Sequence, residues 1–301
     1  MNVGWVGTGV MGYSMCSHII EAGYPVWVYT RTKDKASGLM ARGARWCNSP
    51  GELAGVCDVA FTIVGYPQDV EEVYFSQTGL IASARPGTIL VDMTTSSPSL
   101  ARRISRASAE RGVHALDAPV SGGDVGAREG TLAIMVGGEK GVFDRMLPLL
   151  GSLGQNISYM GEAGSGQNTK MSNQILIAST MIGVVESLLY ACRAGLDPAG
   201  VIDIIGKGAA SSWSINNLGR RIVKGDFNPG FFIKHFIKDM GIALDEALRM
   251  KLALPGLSLA MQFYTAAAAL GYENLGTQGL YKVFETMNGV DAHPAGTGTN
   301  P

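Results

Sequence analysis

Gly7-Thr8-Gly9-Val10-Met11-Gly12 stands directly behind an apolar run, Val3 to Val6, and directly ahead of a helical pattern, Met11 to Glu21, that stops at Gly23. Few local features restrict a fold more. The first glycine permits a tight turn out of a strand. The second lets the backbone approach a pyrophosphate, and the third lets the following helix pack closely on that strand. A bare glycine pattern of this kind is weak, but its place at residue 7, between a strand and a helix, makes it specific.

The rest of the first 163 residues continues in the same style. Apolar runs at Val26 to Tyr29, Val59 to Val64, Ile89 to Val91 and Leu132 to Val136 alternate with helical stretches, the last run preceding Gly137-Gly138. That alternation predicts an α/β domain, a doubly wound parallel sheet with helices on both faces, opening as a Rossmann unit. After Gly166 the pattern changes. Gln167 to Arg193 reads as one helix ending at Gly195, and at about 1.5 Å per residue it would run roughly 40 Å, enough to join two domains. Pro198 to Gly206, Asn216 to Lys224, Ile237 to Lys251 and Leu257 to Leu270 are also helical in periodicity, with sparse strand signals. The expected organisation is therefore a dinucleotide-binding domain over 1–163 and an all-α domain over 164–288 that includes the interdomain helix. A tail over 289–301, rich in Gly, Pro and Thr, is expected to be disordered.

Of the 301 residues 46% are apolar and 16% are Asp, Glu, Lys or Arg, and the formal net charge is -1. The near-balance offers no basic footprint for nucleic acid or for an anionic membrane surface. Cys16, Cys47, Cys57 and Cys192 form no CxxC pair and have no histidine at metal-ligand spacing, so reduced thiols and no metal are expected. The chain begins directly with a strand-like run, so no signal peptide is expected. Ile175 to Ala191 is apolar, but it contains Glu186 and several Ser and Thr residues, which suits a buried helix better than a membrane span. A cytoplasmic location is expected. His18, His114 and His235 read as structural histidines, and His293 falls in the tail.

The second strand selects the nicotinamide cofactor. NAD-specific turns place Asp or Glu at that strand's end to bond the ribose 2′-hydroxyl. Here the strand ends Tyr29-Thr30-Arg31-Thr32, with no carboxylate before Asp34. Arg31 could pair with a 2′-phosphate, supported by Thr32 and Lys35, so NADP is favoured over NAD. Three further segments carry chemistry. Asp92-Met93-Thr94-Thr95-Ser96-Ser97-Pro98 follows a strand, which puts its hydroxyls at the sheet's carboxyl edge. Asp117-Ala118-Pro119-Val120-Ser121-Gly122-Gly123 is a glycine turn whose N–H groups and Ser121 hydroxyl suit a carboxylate. Gly164-Ser165-Gly166-Gln167-Asn168-Thr169-Lys170 opens the long helix, and helical spacing puts Lys170, Asn173 and Gln174 on one face.

Taken together, GWVGTGVMG, DMTTSSP, DAPVSGG and GSGQNTKMSNQ, in this order, resemble the β-hydroxyacid dehydrogenases over about residues 1 to 288. That family includes 3-hydroxyisobutyrate dehydrogenase, tartronate semialdehyde reductase and glyoxylate/succinic semialdehyde reductase. Lys238-Asp239 is similar to the family's Lys-Asp pair. The resemblance implies that Lys170 is catalytic and that Ser121, Gly122 and Gly123 hold the substrate carboxylate. It also implies that the Gly7–Gly12 turn (Gly7, Thr8, Gly9, Val10, Met11, Gly12), Thr30, Arg31, Thr32, Thr95 and Lys238 contact the cofactor, with Val64-Gly65 bordering it. Many members carry Asn as the fourth residue after the lysine. Here Asn173 stands third and Gln174 fourth, and both are candidates to reach the substrate.

The chemistry agrees with that implication. Hydride delivery to an aldehyde develops negative charge on its oxygen, which a nearby ammonium stabilises and protonates; a neutral Lys170 would take the proton back in the reverse direction. Burial beside a cationic or apolar neighbour would bring the lysine's pKa toward working pH. Trp213 and Phe231-Phe232 could close a pocket, although packing in a helical core accounts for them as well. A 6-phosphogluconate dehydrogenase would need a larger helical domain and a His-Asn pair near the lysine. An imine reductase lacks the lysine, and an inert reader or scaffold on this fold would most simply have lost Lys170 or the glycine turn. The expected substrate is a small aldehyde acid or hydroxy acid. The expected assembly is a homodimer or homotetramer, from the apolar length of the long helix.

Overall fold

The computed structural model describes residues 1–289, so the tail expected to be disordered lies, beyond Gly289, outside the described residues. The chain divides into two compact units between Met171 and Ser172. In the first unit nine strands form one sheet: β1 (Val3–Val6), β2 (Val26–Tyr29), β3 (Arg45–Trp46), β4 (Val59–Thr62), β5 (Ile89–Asp92), β6 (His114–Asp117), β7 (Val120–Ser121), β8 (Leu132–Gly138) and β9 (Gly154–Gly161). Their order is β3-β2-β1-β4-β5-β6-β8-β7, with β9 paired to β8. The pairings from β3 through β6 are all parallel; β8 runs antiparallel to β6 and β7 and parallel to β9.

The central strands are buried at every residue, because each face of the sheet is covered. Two cores follow from the alternation of side chains along each strand. Val3, Trp5, Val28, Phe61, Ile89 and Val91 pack to one side, with Met15, Ile19, Leu39 and Met146 from helices. Val6, Ala60 and Leu90 face the other, with Leu53, Val70, Tyr74, Leu80 and Ile104. The expected doubly wound α/β sheet is present, with an antiparallel addition at β7 and β8. The run read as Val59 to Val64 leaves the ladder after Thr62: the Val64 N–H turns to the Thr94 hydroxyl instead, at 3.0 Å. β9, exposed at Gln155 and then on alternate residues from Asn156, has no apolar run to announce it.

The long helix spans Ser165–Arg193, starting two residues ahead of its predicted start, and its first turns belong to the sheet unit. The compact division therefore falls later than the boundary at 163. Among the described residues this helix has the length and apolarity to cross a membrane; within the protein it buries Ala178, Met181, Val185 and Leu188 and exposes Leu176 and Tyr190.

In the second unit the remaining helices include Pro198–Ile205, Ile233–Arg249, Pro255–Ala269 and Leu280–Met287. A turn of π-helix covers Ser214–Gly219, overlapping the start of the stretch expected to be helical from Asn216. Its core is built on Phe236 and Tyr264, whose rings meet edge to face at 5.0 Å. The Tyr264 hydroxyl donates to the Thr277 carbonyl at 2.9 Å. The all-α expectation holds for this unit.

Candidate active site

The carboxyl ends of β1, β2, β4, β5 and β6 share one edge of the sheet, and strand order reverses between β1 and β4, where open α/β sheets bind ligands. The glycine turn leaves β1 there. Gly7 has φ +95, and a Cβ on it would stand 2.1 Å from the Ile63 carbonyl oxygen. A Cβ on Gly12 would stand 2.2 Å from the Gly7 oxygen, so the helix Val10–Glu21 can approach its strand only without one. Gly9 differs: a Cβ there meets nothing within 4 Å. The helix start has no side-chain cap and no acidic residue in its first turn, and Val10 is exposed. Thr8 is buried and its hydroxyl oxygen has no hydrogen-bond partner. Open space, uncapped N–H groups and an orphaned hydroxyl fit an anionic diphosphate. The turn is braced from beneath by the buried Trp5, whose Nε1 donates to the Gly7 carbonyl at 2.9 Å.

Past β2, Thr30 is half-buried while Arg31 and Thr32 are exposed. The Arg31 guanidinium is not isolated: it donates to Asp69 Oδ1 at 2.8 Å. Past β4, Val64 and Gly65 are half-buried. Past β5, Thr95 is half-buried between the buried Thr94 and Ser96.

The start of the long helix is locked to this edge by two side chains. Asp117, the last residue of β6, accepts the Gly164 N–H on Oδ1 at 2.7 Å and the Gln167 N–H on Oδ2 at 2.8 Å, so it caps the helix from a distant strand. Burial pushes the Asp117 carboxyl above its ordinary range, against the pull of the N–H groups of Gly164, Gln167 and Gly166. Gln167 is fully buried. Its Oε1 accepts the Ser96 N–H at 3.0 Å, and its Nε2 donates to the Thr94 carbonyl at 2.7 Å. Thr94 in turn holds Val64 through its hydroxyl. Backbones crowd the same spot: a Cβ on Gly166 would lie 2.3 Å from the Met135 oxygen, and one on Gly137 2.7 Å from Asp117 Oδ1. Lys170 follows Gln167 on this helix and is 7% exposed.

The Asp117 cap is testable. Asp117→Asn presents an NH2 group to a backbone N–H, leaving one buried donor unsatisfied. We expect a loss of about 1–3 kcal/mol of stability, read as a lower urea midpoint. An unchanged midpoint would show that the cap is dispensable.

Ser121 ends β7, where it pairs with Ala133 of β8. Gly122 and Gly123 have φ +130 and +64 and lead into the helix Gly123–Glu129. Both conformations belong to glycine, and together they turn the chain out of the sheet at its antiparallel end.

The second unit carries the remaining residues. The Asn173 side chain donates to Gln174 Oε1 at 2.8 Å, and Gln174 Nε2 donates to Asp239 Oδ2 at 2.6 Å. Gln174 is buried, and both ends of its amide are engaged by protein; Asn173 is half-buried. Lys238 Nζ lies 2.9 Å from Asp239 Oδ1. Burial, with the Lys238 and Lys234 ammoniums, pushes His235 below its ordinary value. Trp213 is 68% exposed, and Phe231 packs its edge against Phe236. The four cysteines are free; burial pushes the Cys47 thiol to about 11 and Cys57 to about 12. No cluster of three or more His, Cys, Asp or Glu that could hold a metal occurs among the described residues.

Sequence reasoning singled out neither Asp117 nor Gln167 as site-builders, although both stand inside motifs it quoted. Thr94 likewise stands inside one of those motifs, where it is one of several edge hydroxyls, whereas Asp69 lies outside them all. The available signal for Asp69 was Pro67-Gln68-Asp69 at a helix start, the pattern of an N-terminal cap.

A sheet of this order, with a glycine turn shaped for a diphosphate and a helical second unit, defines a pyridine-nucleotide-dependent oxidoreductase. Residues 2–161 match the family model of the NAD binding domain of 6-phosphogluconate dehydrogenase. Residues 164–284 match that of the NAD-binding region of NADP-dependent 3-hydroxyisobutyrate dehydrogenase. The chain belongs to the β-hydroxyacid dehydrogenase family, of the 3-hydroxyisobutyrate dehydrogenase type. It is 56% identical to an uncharacterized oxidoreductase, YkwC, of Bacillus subtilis, over 94% of this chain and 98% of that one. It is 38% identical to 2-hydroxy-3-oxopropionate reductase of Escherichia coli, over 95% and 98%. The solved Mycobacterium tuberculosis 3-hydroxyisobutyrate dehydrogenase with L-serine superposes with a TM-score of 0.86 at 30% identity, covering 95% of this chain and 98% of that one.

Proposed function

We propose that the chain interconverts a small hydroxy acid and its semialdehyde, with NADP preferred to NAD and Lys170 as general acid and base. The observation that carries the reading is the lock at the start of the long helix. Asp117 and Gln167 fasten the turn ahead of Lys170 to the same sheet edge that bears the glycine turn and the Thr94–Ser96 loop. A buried lysine on a pinned helix has a defined position and little competing water, the two conditions for directional proton transfer.

When bound, the nicotinamide supplies or accepts a hydride at its C4. Ser121 and the N–H groups of Gly122 and Gly123 hold the substrate carboxylate and so fix which carbon faces the hydride. The Lys170 ammonium stabilises charge developing on the carbonyl oxygen and gives it a proton; in oxidation the neutral amine removes the hydroxyl proton. Arg31 pairs with the 2′-phosphate. The names of the relatives, a 2-hydroxy-3-oxopropionate reductase and a 3-hydroxyisobutyrate dehydrogenase, support a short acid bearing an oxidisable carbon.

Within that class we favour glyoxylate and succinic semialdehyde, because the Thr30-Arg31-Thr32 strand end resembles that of the NADPH-using reductases. A panel of glyoxylate, succinic semialdehyde and tartronate semialdehyde with NADPH and NADH, and of 3-hydroxyisobutyrate with NADP and NAD, ranked by kcat/KM, tests this. NADPH-dependent reduction of the first two is expected to rank highest. Preferential oxidation of 3-hydroxyisobutyrate with NAD would overturn the choice, and absence of turnover throughout would overturn the enzymatic reading.

A further inference from the structure

The end of β2 has no carboxylate of its own, yet one reaches it from elsewhere in the fold. β2 and β4 flank β1, so the segments leaving Tyr29 and Thr62 emerge on either side of the glycine turn. Arg31 lies just past β2. Asp69 lies in the first turn of the helix Pro67–Phe75, past β4. They meet as an ion pair at 2.8 Å, with Asp69 16% exposed and Arg31 74% exposed. Asp69 is fixed from its other side as well, since its Oδ2 accepts the Tyr66 N–H at 3.1 Å. The acid is thus a held group, while the arginine is an exposed one whose guanidinium has five N–H donors and spends one on Asp69 in this bond.

We infer that Asp69 sets the balance between NAD and NADP. Its carboxylate accepts the ribose 2′-hydroxyl of NAD, the role that an acid at the end of β2 fills in NAD-specific turns, while Arg31 takes the 2′-phosphate of NADP. The inference rests on the reading that Arg31 faces the adenosine end of the nucleotide. A 2′-phosphate arriving at Arg31 must share that cation with an anion already paired to it, and the repulsion between the two anions opposes NADP. A 2′-hydroxyl is neutral and a donor; it adds to the Asp69 carboxylate and leaves the ion pair intact. The same pair therefore admits both nucleotides, and Asp69 moderates a preference that Arg31 alone would make steep.

Calorimetric titration of the full chain with NADP+, NAD+, adenosine 2′,5′-bisphosphate and 5′-AMP separates these contributions without turnover. Asp69→Asn keeps an oxygen for Arg31 and removes the negative charge. The ratio of the NAD+ to the NADP+ dissociation constant is expected to rise roughly three- to tenfold, the effect of one partly exposed charge pair. The bisphosphate should tighten along with NADP+. A ratio within twofold of wild type, or both nucleotides weakening together as for a lost helix cap, overturns the inference. The underlying reading fails separately: in that case Arg31→Ala also leaves the ratio unchanged, or wild type does not distinguish adenosine 2′,5′-bisphosphate from 5′-AMP.

Discussion

Lys170→Ala is expected to lower kcat by about 10²-fold or more while leaving the NADPH dissociation constant nearly unchanged, because general acid–base catalysis contributes on that scale. Lys170 is almost wholly buried, so no bulk water stands ready to replace its proton. Its helix is anchored ahead of it, at Gly164 and Gln167, by bonds that do not involve its side chain. Removing the amine should therefore spare the cofactor turn. The measurement is steady-state reduction of an aldehyde acid, alongside nucleotide binding followed by fluorescence. A variant keeping more than half of wild-type kcat would remove Lys170 from the mechanism. Lys170→Arg sharpens the result: the cation survives but cannot release its proton at working pH, so oxidation should be lost as completely as in the alanine variant.

Succinic semialdehyde should react at least ~10²-fold more efficiently than butyraldehyde, its analogue of equal length without the acid, in line with losing a charged hydrogen bond. The turn proposed to make this difference is built from Ser121 at a strand end and two glycines with positive φ. Donors arranged for an oxyanion are left unpaired by a methyl group, and a site built on polar contacts rejects an analogue lacking its partner far more sharply than an apolar pocket rejects a missing methylene. Equal kcat/KM for the two aldehydes would refute the carboxylate cradle, whatever the role of Lys170.

The parts of this fold that were legible in sequence are those where sterics or burial leave one residue type possible. Gly7 and Gly12 are written as glycine because backbone oxygens stand where a Cβ would be. Val3–Val6 is continuously apolar because both faces of its strand are covered. Beyond those places the signal thins. β9 alternates between half-buried and exposed, and β6 begins at a half-exposed His114. The long-range bonds of the site left no local trace. Asp117 grips a helix start fifty positions away, and Arg31 finds its acid across 38. Nothing in a run of neighbours reports such a meeting, so the strand end looked like a lone arginine when it is half of a pair.

The interlocking of Val64, Thr94, Ser96, Gln167 and Asp117 bears on how such an enzyme can be re-engineered. These residues come from four stretches of chain, yet Val64 bonds Thr94, Thr94 and Ser96 both bond Gln167, and Gln167 bonds Asp117. A loop transplanted after β5 from a relative has to bring its backbone carbonyl and N–H to the positions at which Gln167 bonds them, so that loop and the helix start are best exchanged together. The Arg31–Asp69 pair shares none of those bonds. On the roles proposed for Arg31, Asp69 and Lys170, substitutions at that rim should shift nucleotide preference while leaving proton transfer in place, a separation that would let one scaffold serve either nucleotide pool.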